Sequence, residues 1–189
     1  MSRPRPLPTA LVAVLLTLLV APAAQAARAP VEDYASYQPQ TRCAPKAKPG
    51  TVVLGTWMVE QYGGAFGGIS RACSTATSEH QEGRAFDWTL DATRKADRLR
   101  AEAFLADVLA ADRRGNAAVL ARRMGIMYVI WNDHMYPAWK QFAPEDYLSS
   151  SCPSPEECSA TLRHRDHLHV SLTRAAGRGE TSWYAGRLP

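Results

Sequence analysis

The sequence predicts an α+β domain. Residues 85–90 and 167–172 each alternate larger apolar residues with small or polar ones, the two-residue period of a half-buried strand. Residues 126–131, IMYVIW, form an unbroken apolar run of the buried-strand type. Residues 91–114 repeat apolar positions at three and four, as an amphipathic helix does.

Residues 1–26 open with Arg3 and Arg5, pass through an apolar run at 11–20, and close on Ala24-Gln25-Ala26. This is the pattern of a secretory signal peptide, with cleavage expected after Ala26. The run is short for a membrane span; an uncleaved, membrane-retained segment is the alternative. The mature chain, 27–189, has the length of one domain with its own core. It is expected to be a monomer with no stable membrane insertion. The formal charge of +4 falls to about +2 (4 − 2) without Arg3 and Arg5. That is too small to argue for nucleic acid, and no Lys/Arg run is interleaved with aromatics.

Residues 27–49, rich in Pro, Gln and Ala, read as an extended lead-in, and 50–189 as the domain. Residues 51–59 read as a strand. Residues 61–68 read as a glycine-rich loop at a cleft, without a phosphate-binding pattern. Residues 69–73 read as a second strand bearing Arg71. Gly83 allows a turn ahead of the strand at 85–90. In the helix at 91–114 the expected stripe is Ala96, Leu99, Ala103, Ala106 and Ala110, widened by Phe104, Val108 and Ala111. Asp91 is its expected N-cap and Gly115 its stop. A short helix over 117–124 ends at Gly125. His134 reads as a loop histidine, and the aromatic-rich 139–148 as a cleft wall or as packing.

The four cysteines, Cys43, Cys73, Cys152 and Cys158, suit two disulfides in an exported chain. Cys152 and Cys158 flank a short Pro-Ser-Pro loop and pair locally, which leaves Cys43 with Cys73. A four-cysteine zinc site lacks the CxxC spacing it needs; free thiols are the remaining alternative.

The chemistry centres on two stretches. In SEHQEGRAFDW, residues 78–88, alternation sets Phe86, Trp88 and Leu90 on one face and leaves Asp87 among Ala85 and Thr89 on the other. A carboxylate there needs a partner or a metal. In RHRDHLHVSL, residues 163–172, His167, His169 and Ser171 share a face opposite Leu168, Val170 and Leu172. If the two strands pair in one sheet, Asp87, His167 and His169 converge, and His80 arrives from the turn. His80, Asp87 and His169 are the proposed zinc ligands, since three protein ligands and one open position make a catalytic zinc site. The bland alternative is an ordinary loop–strand pair beside a polar strand end.

SEHQEGRAFD resembles the SxHxxGxAxD motif of zinc D-Ala-D-Ala carboxypeptidases, and DHLH supplies their HxH motif. Together they are similar to the signature of the LAS superfamily of lysostaphin-type, D-Ala-D-Ala metallopeptidase and hedgehog-type domains. His164, His167 and His169 also match the HxxHxH spacing of the murein endopeptidase branch. The Ala- and Arg-rich composition is most similar to secreted actinobacterial members. The resemblance runs from about Cys43 to the C-terminus and is more specific for metal and fold than for substrate.

It implies a central antiparallel sheet with helices on one side. It implies zinc on His80, Asp87 and His169, with His167 as the catalytic histidine. Some relatives use a glutamate where Asp166 stands. A regular strand points Asp166 away from His169, so Asp166 is read as supporting His167. Arg71 stands about where relatives bind the substrate carboxylate; the alternative is a surface arginine. Ser78 is expected to orient the loop by hydrogen bonding, and His164 to touch substrate or support the site, or to be a surface residue. The implied function is a secreted zinc metallopeptidase, associated with the cell wall, acting on D-Ala-containing stem peptides or crosslinks of peptidoglycan. The alternatives are an inactive protein of this fold that binds wall peptide, and a metal-free, disulfide-stabilised binding module.

Overall fold

The computed structural model describes residues 30–188. The expected signal peptide and its cleavage site lie outside the described residues. Helices α1 (Pro49–Tyr62), α2 (Lys95–Leu109), α3 (Val119–Met124) and α4 (Arg174–Arg178) accompany six strands. The strands are β1 (Ala65–Phe66), β2 (Ala85–Thr89), β3 (Ile126–Trp131), β4 (His134–Pro137), β5 (Glu145–Asp146) and β6 (His167–Leu172). They form one antiparallel sheet in the order β1-β2-β6-β3-β4-β5.

One face of the sheet carries the main core. Phe86, Trp88, Leu168, Val170 and Leu172 pack there against Leu54 and Met58 of α1, Ala101, Phe104 and Val108 of α2, and Met124 of α3. Each large apolar side chain buried this way contributes about 1.5–3 kcal/mol. The opposite face carries a smaller cluster of Met127, Tyr128 and Ile130, covered in part by Ala35, Met135 and Tyr147. The register shifts between Ile126 and Tyr128, leaving Met127 as an extra residue in β3. This bulge turns Met127 and Tyr128 toward the same face and sets Tyr128 opposite Ser171.

Several local expectations are corrected. Residues 51–59 are helix, not strand. Pro49 stands in the first turn, where its missing N–H costs nothing, and Gly63 closes the helix at φ 77°. The β-branched run conceals the helical spacing of Thr51, Leu54, Gly55 and Met58, all buried. Residues 69–73 form no strand, and the loop at 61–68 takes in the end of α1 and the two-residue β1.

Helix α2 begins at Lys95 and ends at Leu109. Asp91 caps no helix; its side chain accepts from the Thr93 N–H and hydroxyl. Gly115 stands in a turn beyond the helix, after Asp112. The expected alanine stripe faces solvent, with Leu99 53% exposed, because Phe104 and Val108 offer more apolar area to bury. His134 opens β4. The lead-in is extended but strapped down: Ala44 N–H donates to Gln81 O, and Lys48 N–H to Gly83 O. Both expected disulfides are present, Cys43–Cys73 and Cys152–Cys158.

Candidate metal centre

The two central strands present the candidate residues. Asp87 of β2 lies directly opposite His169 of β6, and Thr89 opposite His167. His80 comes from a 3₁₀ turn, Glu79–Glu82, which ends at Gly83 with φ 65°. A Cβ at Gly83 would stand 2.1 Å from the Lys46 carbonyl oxygen, so both the turn and the strap over it require glycine.

Three side-chain atoms meet. His80 Nε2 is 3.0 Å from Asp87 Oδ1 and 3.2 Å from His169 Nδ1, and His169 Nδ1 is 2.9 Å from Asp87 Oδ1. The other nitrogen of each imidazole is engaged outside the triangle. His80 Nδ1 lies 2.8 Å from the Ile69 carbonyl, an acceptor only, so it carries the proton there. His169 Nε2 lies 2.8 Å from Ser171 Oγ. When Ser171 Oγ accepts from His169 Nε2, as the Ile69 carbonyl accepts from His80 Nδ1, the three inner atoms all present lone pairs, an arrangement that a cation among them satisfies.

These residues form the described group whose geometry could hold a metal ion. Donors about 2.0–2.1 Å from a tetrahedral zinc are roughly 3.3–3.4 Å apart, close to the spacing found here. Two imidazoles and one carboxylate, with outer nitrogens held by a carbonyl and a hydroxyl, also suit that ion chemically.

The same three atoms also hold together through protons shared between the imidazoles and Asp87. Burial pushes the Asp87 carboxyl up, but hydrogen bonding to His169 and then His80 outweighs burial and holds it well below the usual carboxylate range. Asp87 is therefore an anion at neutral pH. Burial, only partly opposed by Asp87, holds His169 below its ordinary value, so its ring is neutral and keeps a lone pair.

His167 stands beside the triangle, its Nε2 3.6 Å from Asp87 Oδ1. Its Nδ1 is 2.7 Å from Asp166 Oδ1, and Asp166 is held in turn by the Thr161 hydroxyl. Nδ1 is thus the protonated nitrogen, and Nε2 offers a lone pair. His164 packs its ring against His167, His169 and Tyr147. Its Nδ1 is buried without a partner among the described residues. Burial, then His169 and His167, push it down to about 2, so it is neutral.

All three histidine rings, with His80, line a cleft of about 620 Å³. Arg71 lies exposed on its wall, and Ser149, Ser150 and Ser151 line another part. Ser78 also lines it, but its hydroxyl makes no capping bond; the Ser78 N–H is held instead by Gln40 Oε1 at 2.6 Å.

Three contributors escaped sequence reasoning. Ser171 shares the face of His167 and His169, a visible alternation, but its role needed the fold. Tyr128 stacks on His169, ring centres 5.6 Å apart and planes 20° apart, because of the bulge. The Ile69 carbonyl is backbone and carries no side-chain signal.

A family model described as VldE, C-terminal domain, matches residues 43–150, more than half of the chain. The matched stretch contains His80 and Asp87 and stops before β6. No curated protein and no solved structure matches.

Proposed function

The chain belongs to the family described as VldE, C-terminal domain, and we propose that this member is a secreted zinc metallopeptidase that hydrolyses peptide bonds of bacterial cell-wall peptides. The observation that carries the reading is the triangle of His80 Nε2, Asp87 Oδ1 and His169 Nδ1, with the free His167 Nε2 beside it on a cleft. The resemblance of SEHQEGRAFD and DHLH to LAS zinc peptidases supplies the substrate class. The two disulfides fit an oxidising, extracytoplasmic setting. Among the described residues no helix is long and apolar enough to cross a membrane.

His80, Asp87 and His169 hold the ion, which when bound supplies Lewis acidity toward water and a carbonyl. The protein residues supply the rest. His167 takes a proton at Nε2 during attack and returns it to the leaving amine, the double duty of a general base and acid. Asp166 fixes the ring and its tautomer through Nδ1–H and stabilises the imidazolium while it exists. Arg71 offers a planar pair of donors to a substrate carboxylate.

Two measurements test the reading. Elemental analysis of the purified mature protein should find about one zinc per chain, with most of it lost in His80→Ala. Mass spectrometry of muropeptides incubated with the zinc-loaded protein should show cleaved stem peptides or crosslinks. Full zinc occupancy in both His80→Ala and His169→Ala overturns the ligand set. Bound zinc with intact muropeptides overturns the peptidase and leaves a wall-peptide binding protein.

A further inference from the structure

The cleft continues into a second groove that the proposed chemistry does not use. It has a volume of about 250 Å³ and is lined by Tyr37, Tyr128, Ile130, Met135, Trp139 and Tyr147. Tyr128, Ile130 and Tyr147 line the reaction cleft as well, so a chain lying past the donor triangle runs on into this groove. Four of the six residues are aromatic. Tyr37 is 49% exposed and Trp139 38%, so the two rings, side by side, are open to a ligand. Their centres are 5.4 Å apart with planes tilted by 58°, and Tyr128 backs both.

The composition of the groove selects its occupant. None of the six lining residues is charged, so the groove itself offers an ionised group no direct ion partner. Arg71, which suits a carboxylate, lines the cleft and not the groove. The groove therefore takes a neutral part of the substrate. Its rings combine apolar faces with polar edges, namely the Tyr37 hydroxyl and the Trp139 indole N–H, with the Tyr147 hydroxyl already meeting Ser149. A pyranose has the complementary form: C–H bonds across its face, which meet the negative face of a π system, and hydroxyl and amide groups around its rim. A purely aliphatic side chain would leave those edges unused.

We propose that this groove is a saccharide subsite, holding the neutral amino-sugar end of a cell-wall muropeptide while its peptide lies across the cleft. The inference rests on the peptidase reading for its substrate class, but the binding it describes needs no metal.

The test uses the whole mature protein as purified, titrated calorimetrically with an N-acetylglucosamine trimer, which carries no stem peptide to be cleaved. Saccharide binding is expected, weakened at least tenfold in both Trp139→Ala and Tyr37→Ala, with circular dichroism confirming that each variant is folded. Absence of binding by the parent, or unchanged affinity in both folded variants, overturns the subsite. A second arm separates this failure from that of the peptidase reading. If the zinc-loaded parent cleaves sugar-bearing muropeptides and sugar-free stem peptides with equal KM, the peptidase stands and the subsite falls. If the trimer binds in the aromatic groove but nothing is cleaved, the subsite stands and the peptidase falls.

Discussion

His167 and His169 stand two apart on one strand face, yet their surroundings assign them different work. His169 is 6% exposed, its Nδ1 faces Asp87 and its Nε2 faces Ser171, so both nitrogens are committed. His167 is tied at one nitrogen only, to Asp166, and keeps the other toward the cleft. His167→Ala should therefore keep zinc and fold while losing about a hundredfold to ten-thousandfold in peptidase rate. His169→Ala should lose zinc and activity together. Asp166→Ala removes only the orienting partner and should cost about tenfold to a hundredfold. Zinc content and muropeptide cleavage measured side by side check all three; a fully active His167→Ala beside a dead Asp166→Ala makes the aspartate the base. At this scale the sequence was legible where side chains carry the signal. Alternation alone set Asp87, His167 and His169 on polar faces. What it could not convey was support that depends on distant packing. Tyr128 reaches His169 only through the bulge at Met127, and Glu79, which accepts the Tyr128 hydroxyl at 2.6 Å, is buried by contacts remote in the chain.

The same division between local signal and distant packing holds for whole elements. Strands β2, β3 and β6 obey their own pattern, so they were readable; α1 obeys its neighbours. Gly50, in its first turn, lies so close to α4 that an added Cβ would stand 2.0 Å from Ala176 O, 2.9 Å from Gly179 N and 3.0 Å from Gly177 O. Alanine gains up to about 1 kcal/mol in helix propensity over glycine. Displacing backbone to admit a methyl group typically costs about 1–3 kcal/mol. Because all three obstacles are backbone, Gly50→Ala should lower stability to urea unfolding; an unchanged or higher midpoint would show that α4 yields freely. The turn between β3 and β4 bends a local rule for a similar reason. Asn132 and Asp133 both have positive φ, as a two-residue hairpin turn requires, though glycine is the usual second residue. Asp133 stands there because its carboxylate takes Arg163 at 2.6 Å and Arg165 at 2.8 Å, pinning the segment that carries His164. Burial pushes that carboxyl up, but the bonds from Arg163 and Arg165 outweigh it and hold the carboxyl below its ordinary value. A carboxyl lowered on folding adds stability above its unfolded pKa, and that contribution is lost as pH falls through the folded value. Asp133→Asn should therefore be less stable than the parent at neutral pH, the gap closing as pH falls below about 4. Urea midpoints across that range test it; a gap that persists or widens in acid contradicts the pairing.

Across the whole molecule, the two disulfides do different work. Cys43–Cys73 spans 30 residues and ties the extended lead-in to the loop ahead of the motif. That loop contains Ile69, whose carbonyl holds His80 Nδ1, and Ser74, whose N–H is held by Gln81 Oε1. The lead-in returns along the same turn through Ala44 N–H to Gln81 O. Cys152–Cys158 spans only 6 residues and closes a surface loop next to Ser149, Ser150 and Ser151 on the cleft. Loop-closure entropy alone assigns about 3–4 kcal/mol to the longer bridge and about 2 kcal/mol to the shorter. The position of each bridge adds a second distinction. Replacing Cys43 and Cys73 by serine frees the segment that orients His80, so zinc affinity should fall along with stability. Replacing Cys152 and Cys158 should cost less stability and leave zinc affinity near that of the parent. It loosens one wall of the cleft, so the loss should appear as a raised KM for muropeptides. Urea unfolding, zinc competition with a chelator, and KM measured on both double variants separate these effects. If the short bridge governs zinc affinity and the long one does not, the support of His80 comes from elsewhere than the strapped loop, and the Ile69 carbonyl is a bystander.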